Sequence, residues 1–194
     1  MILPSVQAGD PVLRGRARAL WADEIRGPEI QQLILDMRDT MRAAPGVGLA
    51  APQVGRALQL AVIEDRAEYH GKLSPEQVAA RGRAPVEFYA LANPEIVWRS
   101  EDNATFFEGC LSVNGFCALV PRVMQVRVKY LDAAGAPQTL EASGWHARIL
   151  QHEVDHLQGT LYIDRMLSRT FTTVENLGRH WKELVAGDVI RRLR

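Results

Sequence analysis

The chain has 194 residues, 47% of them hydrophobic, enough for one well-packed domain spanning 1–194 and too few to require two. Its 23 Lys and Arg balance 23 Asp and Glu, so no net field draws it to nucleic acid or an anionic membrane, and a small or neutral substrate is expected. The two cysteines, Cys110 and Cys117, cannot build a disulfide framework, and the longest apolar runs, such as Leu60 to Ile63, are strand-sized and cannot cross a bilayer. The opening Met1-Ile2-Leu3-Pro4 lacks a basic start, an apolar signal core and an amphipathic presequence, so a cytoplasmic protein is expected.

Along the chain, Pro28 opens a segment whose apolar positions Ile30, Leu33, Ile34, Met37 and Met41 follow a helical period, with Pro45-Gly46 as its stop. Ala57 to Ile63 reads as a buried strand. Asp65 to Pro85 is polar and charged and reads as a surface insertion, with one short helix starting at Ser74-Pro75-Glu76. Phe88 to Trp98 reads as extended, and Val123 to Leu131 alternates through Val126, Val128 and Tyr130. Ala133 to Pro137 makes a turn, and Gln138 to Ala142 returns as a hairpin partner. A helix follows from Trp145 to Leu157, with Ser143 as N-cap and Gly159 as C-terminal stop. Leu161-Tyr162-Ile163 is short and apolar, and Thr173 to Val185 carries a weak helical pattern. Arg191, Arg192 and Arg194 read as a solvated tail. Strands grouped apart from helices predict an α+β fold, not a parallel doubly wound sheet.

The Trp145–Leu157 helix carries Gln151-His152-Glu153-Val154-Asp155-His156-Leu157. His152 and His156 stand one turn apart on one face, so both imidazoles can reach a single cation. Glu153 beside them can take the proton of a metal-bound water, which is a catalytic metal pattern. Chance His-x-x-x-His pairs are common on solvated helices, but the adjacent glutamate makes chance the minority reading.

Two histidines leave such a site short of a third protein ligand. Of the candidates His70, His146, His180 and Cys110, the cysteine is best placed, after a glycine that lets the backbone approach closely and among the apolar neighbours Phe106, Phe107, Leu111 and Val113, which would exclude water. Without the histidine motif it would read as a small buried hydrophobe, as Cys117 does.

Gly46-Val47-Gly48-Leu49-Ala50-Ala51-Pro52-Gln53 formally matches a dinucleotide fingerprint. Its context rejects that match, because a helix ends before it and Pro52 with a strand follows it. Gly46 and Gly48 instead leave room for an extended peptide against the backbone, and the Gln53 amide can donate to a developing oxyanion. Val47, Trp145 and Ile149, close in sequence to these motifs, are the candidate walls of an apolar recess. Two rivals remain open at this point: a zinc peptidase of the His-Glu-x-x-His kind, and a protein-binding module with a structural metal.

Taken together, Gly46 to Gln53, Glu108-Gly109-Cys110-Leu111-Ser112 and Gln151 to Leu157 resemble the peptide deformylase family, whose patterns G-x-G-x-A-A-x-Q, E-G-C-x-S and Q-H-E-x-D-H-L they match at all positions, in order and spacing. The likeness runs from about Gly9 to about Arg169. It implies sheets, antiparallel or mixed, wrapped around a central helix bearing the histidines. It implies that Cys110, His152 and His156 bind one divalent metal, that Glu153 is the general acid/base, and that Gln53 and the backbone N–H of Leu111 stabilise the oxyanion. It also implies hydrolysis of the formyl group of an N-terminal formyl-methionine on newly synthesised polypeptides near the ribosome. Fe2+ is expected in the cell, whereas the thiolate and imidazole donors equally suit Zn2+, Ni2+ or Co2+. Ser143-Gly144-Trp145, Arg169-Thr170-Phe171 and the insertion look like the branch found in plant and animal mitochondria. The compartment expected is therefore the bacterial cytoplasm or, for a mature form, the mitochondrion. Monomer and homodimer both stay open.

Overall fold

The structure, a computed structural model, describes residues 1–44, 46–71 and 73–193. Helix α1 (Ala22–Arg26) leads through an extended Gly27 into α2 (Pro28–Ala43), where Pro28 takes the first helical positions, in which its missing N–H costs nothing. The periodic residues Ile30, Leu33, Ile34, Met37 and Met41 are all buried. Gly46 N–H donates to the Met41 carbonyl at 2.9 Å beyond the helix end, while the expected stop at Pro45 lies outside the described residues.

Strand β1 (Gly48–Ala50) runs into a 3-10 turn at Ala51–Val54, and β2 (Leu60–Asp65) follows. β2 begins later than the expected Ala57, because Leu58 instead forms an isolated parallel bridge with Arg18. The segment after β2 carries α3 (Ala67–His70) and α4 (Pro75–Ala80), the latter capped by the Ser74 side chain, which accepts from Gln77 N–H. Strands β3 (Val86–Arg99), β4 (Asn103–Cys110), β5 (Val113–Val123), β6 (Gln125–Leu131) and β7 (Pro137–Ser143) lead to α5 (Gly144–Leu157). Tyr162–Asp164 is a 3-10 turn with Tyr162 buried. The expected helix over Thr173 to Val185 is interrupted: β8 (Thr172–Thr173), α6 (Val174–Asn176) and a π turn (Leu177–Trp181) precede α7 (Ala186–Arg192). None of the residues of α6 or the π turn is buried, so nothing packs this stretch into one regular helix.

Two sheets form, a five-stranded one in the order β1-β2-β3-β6-β7 and a three-stranded one in the order β4-β5-β8. Every strand pair within them is antiparallel. The β4–β5 hairpin was not expected from the sequence, since Gly109, Gly115 and Pro121 dilute its alternation. It reverses at Leu111-Ser112, and its register shifts between Gly109 and Cys110, an irregularity that re-aims Cys110.

Helix α5 touches strands of both sheets. Ala147, Ile149, Leu150 and Leu157 bury into a cluster with Ile63, Leu91, Val126 and Val128 of the larger sheet, while α2 closes a second cluster over β1 and β2. Ser143 occupies the N-cap position of α5 without a side-chain capping bond. Gly144 adopts a left-handed φ of 57° there, and a Cβ on it would collide with the backbone of Arg81 and Gly82, so the chain after α4 packs against the start of α5. Gly159, at φ 77°, ends the helix with its N–H on the His156 carbonyl at 3.1 Å.

Candidate metal centre

Because α5 is held between the sheets, His152 and His156 project from one face toward the β4–β5 reversal. Their Nε2 atoms lie 3.2 Å apart, and Cys110 Sγ lies 3.2 Å from His156 Nε2. The ligand atoms of Cys110, His152 and His156 all fall within 4.8 Å of one another. Three lone-pair donors this close repel unless a proton or a cation sits among them, and one sulfur with two imidazole nitrogens is a donor set for zinc or a divalent transition metal. The residues present therefore fit a metal, with a coordination position left over.

His152 is oriented from behind. Its Nδ1 lies 3.2 Å from Glu108 Oε2, a carboxylate–histidine pairing that turns Nε2 toward the other donors. Glu108 is itself clamped by Arg122 at 2.9 and 3.0 Å and by Arg148 at 2.5 Å. Arg122 continues to Asp155 at 2.6 Å, and Arg165 holds both oxygens of Asp155. Burial alone would raise the Glu108 carboxyl, but the hydrogen bonds from His152 and Arg122 outweigh it and hold Glu108 well below the usual carboxylate range. Burial likewise opposes a charge on His152, yet Cys110 and Glu108 keep it well above its ordinary value. His156 is held well below its own by burial and the neighbouring His152 charge, so it offers a free lone pair.

Glu153 is 4% exposed, and its Oε2 has no hydrogen-bond partner among the described residues. Burial pushes its carboxyl up to about 7, against the pull of His152 and Arg122, which suits a group that must accept and return a proton near neutrality. Gly48 faces it, and a Cβ at that position would lie 2.7 Å from Glu153 Cδ.

Gln53 sits in the 3-10 turn after β1. Its Oε1 accepts from Ala50 N–H at 2.9 Å, which fixes the amide so that Nε2 donates to Cys110 Sγ and Ser112 Oγ, both at 3.4 Å. Leu111 is pinned in the reversal by Gln7, whose Nε2 donates to the Leu111 carbonyl at 2.9 Å.

A cleft of about 350 Å³ opens onto this centre. Gly46, Val47, Gly48, Gln53, Leu111, Trp145 and Ile149 line it together with Cys110, His152 and Glu153, whereas His156 lies beneath, 1% exposed. Trp145 is shared, since its ring also lines a second cavity and packs edge-on against Phe106. The other sequence candidates lie elsewhere: His146 Nε2 meets Tyr89 OH at 2.7 Å, His70 stands beside Asp65, and Cys117 is buried at 3% exposure.

Sequence reasoning passed over Glu108 and the arginines around it. The available signal was a lone carboxylate two residues before Cys110 in an otherwise apolar stretch, where a buried acid needs cationic partners.

The polypeptide deformylase family model matches residues 2–171. The chain is 49% identical over 176 residues to the chloroplastic/mitochondrial peptide deformylase 1A of Arabidopsis thaliana, covering 90% of this chain and 65% of that protein. It is 44% identical over 168 residues to the mitochondrial peptide deformylase of Homo sapiens, covering 87% and 69%. Among solved structures it is similar to the Met-Ala-Ser-bound class I type b peptide deformylase of Acinetobacter baumannii, with TM-score 0.76, 32% identity and coverage of 86% of this chain and 99% of the other. The chain spans just under two thirds of the length of the plant relatives it matches. With a matching family model over most of its length and relatives this similar, the chain belongs to the polypeptide deformylase family.

Proposed function

We propose that this chain hydrolyses the N-formyl amide of formyl-methionyl polypeptides, releasing formate and a free amino terminus. Membership of the family supports the reaction. The observation that carries it is the convergence of Cys110, His152 and His156 beside the buried carboxylate of Glu153, at the floor of a cleft bordered by Gly48, Gln53 and Leu111. The Acinetobacter relative was solved with Met-Ala-Ser, a peptide bearing the methionine end that deformylation leaves, which supports a methionyl substrate here.

Cys110, His152 and His156 would hold one divalent cation, which when bound would supply the acidity of a water and the polarisation of the formyl oxygen. Glu153 accepts the water's proton and returns it to the leaving nitrogen. The Gln53 amide and the Leu111 N–H donate to the oxygen on which charge develops, each such donor being worth about 10²–10³ in turnover. Gly46 and Gly48 let the peptide lie close to the backbone, while Val47, Ile149 and Trp145 wall the methionine recess. Glu108 orients His152 through Nδ1.

Fe2+ is the metal proposed in the cell, with Zn2+, Ni2+ or Co2+ in purified protein. The substrate is proposed to be met on nascent chains near the ribosome, in a reducing cytoplasm or mitochondrial matrix that keeps the Cys110 thiol free to ligate. Among the described residues no helix is long and apolar enough to cross a membrane. Residues 1–194 are read as one domain with a surface insertion near 65–85. Formate release from a formyl-Met-Ala-Ser peptide tests the proposal. Metal-loaded protein should deformylate it and leave the unformylated peptide intact, and peptide-bond cleavage in its place would favour the peptidase reading.

A further inference from the structure

Behind the catalytic cleft lies a second cavity of about 480 Å³, within the roughly 300–1,000 Å³ typical of ligand sites. It is enclosed by α4, by Phe106 and Phe107 of β4, and by Leu177, Trp181 and Leu184 after α6. Its walls are mainly apolar, and a guanidinium stands among them. Arg81 has no carboxylate partner among the described residues. Among the described residues its guanidinium makes one hydrogen bond, from Nη1 to the Gln77 carbonyl at 2.9 Å, and it lies over the rings of Phe106, at 5.1 Å, and Trp145, at 5.8 Å. Trp145 Nε1 is buried and has no hydrogen-bond partner among the described residues.

The contrast with neighbouring arginines is informative. Arg83 is bound bidentately by Asp65, and Arg148 by Glu108 and two carbonyls. Burial and the Arg83 charge both disfavour the Arg81 cation, with no acid opposing them. Arg83 is already neutralised by Asp65, and neither Glu76 nor Glu183, the two acids of the lining, forms an ion pair with Arg81. A half-buried fork of N–H donors at the edge of an apolar chamber is complementary to an apolar chain ending in an anionic oxygen group such as a carboxylate.

We propose that this cavity is a binding site for an aliphatic carboxylate, whose head group is taken by Arg81 and whose chain lies among Phe106, Leu177, Trp181 and Leu184. The site is separate from the metal centre but shares Trp145 and Phe107 with the catalytic cleft, so its occupancy bears on the wall of the methionine recess.

Calorimetric titration of the metal-loaded protein with decanoate tests this, run beside butyrate, decyltrimethylammonium, and decanoate in the presence of saturating formyl-methionyl peptide analogue. Decanoate should bind one to one, at least tenfold more tightly than butyrate, and without being displaced by the analogue. The cationic amphiphile should not bind. Arg81→Gln should weaken decanoate at least tenfold while leaving deformylation of a short peptide near wild type, and Arg81→Lys, which keeps the charge but loses the fork, should fall between the two. Equal binding of the cationic amphiphile, equal affinity in Arg81→Gln, Arg81→Lys no better than Arg81→Gln, or displacement by the analogue would each overturn the assignment. Because binding is read directly, a protein that binds decanoate yet fails to release formate would retain this site and lose the proposed activity instead.

Discussion

Glu108 Oε2 stands 3.2 Å from His152 Nδ1, so the residue that orients one metal-facing imidazole is also the anchor of a buried cluster of arginines. Glu108→Gln would leave Arg122 and Arg148 short of a counter-charge, and breaking a buried pair in this way costs about 3–5 kcal/mol. It should also lower metal affinity by about 10–100-fold through the loss of His152 orientation. Thermal denaturation and metal titration on the same variant read the two effects separately.

The same residue sets a pH dependence. Its folded-state carboxyl lies well below the usual range, so the native state binds fewer protons here than the unfolded chain. The stability it contributes is fully present above the unfolded value of about 4.3 and is lost as pH falls through the lower folded value. Melting temperature should drop steeply below about pH 4.5 in the wild type and less steeply in Glu108→Gln. Parallel curves for the two proteins would show that another carboxylate carries the effect.

Gly48→Ala should reduce turnover by about 10²–10³ while sparing metal content, because a Cβ would intrude on the carboxylate of Glu153, the proposed proton carrier and not a proposed ligand. Retained turnover would mean that the Glu153 side chain has room to shift without consequence.

Cys110→Ser should lower metal occupancy, since a hydroxyl is a harder and poorer donor than a thiolate to the metals that suit two imidazoles. Cys117→Ala removes a buried sulfur opposite β8, at a stability cost of about 1 kcal/mol, and should leave metal content unchanged. Metal analysis of both purified variants decides between the cysteines.

The readable parts of this fold were those written in a local period. α2, the β6–β7 hairpin and α5 follow from spacing, and the facing of His152 and His156 follows from one turn of helix. Cys110 was reachable from sequence only as the best of several candidates, because what brings it to the histidines is a hairpin whose strands contain glycine and proline and whose register slips at Gly109. Glu108 and its arginines were hidden for a different reason. Arg122, Arg148, Asp155 and Arg165 come from three separate stretches, and nothing in any of them signals a common partner. The segment after Asp65 read as surface, and most of it is exposed, but Gly82 backs onto Gly144 and Arg81 onto Trp145, contacts that only the tertiary fold creates.

Trp145→Ala should raise KM for formyl-methionyl peptides by about 10–200-fold, the equivalent of the roughly 1–3 kcal/mol that an apolar wall contributes to selection, without altering metal content. Because the ring also packs on Phe106 beside the second cavity, formyl-alanyl peptides serve as the control. Equal losses for both substrates would assign Trp145 to packing and remove it from the recess.

The most direct test of the proposed chemistry is a single sample of Glu153→Gln assayed for both metal content and formate release. The proposed chemistry makes Glu153 a proton carrier beside three metal-facing residues, so the expected result is wild-type metal occupancy with turnover nearly abolished. Near-wild-type formate release by a metal-replete Glu153→Gln protein would contradict it.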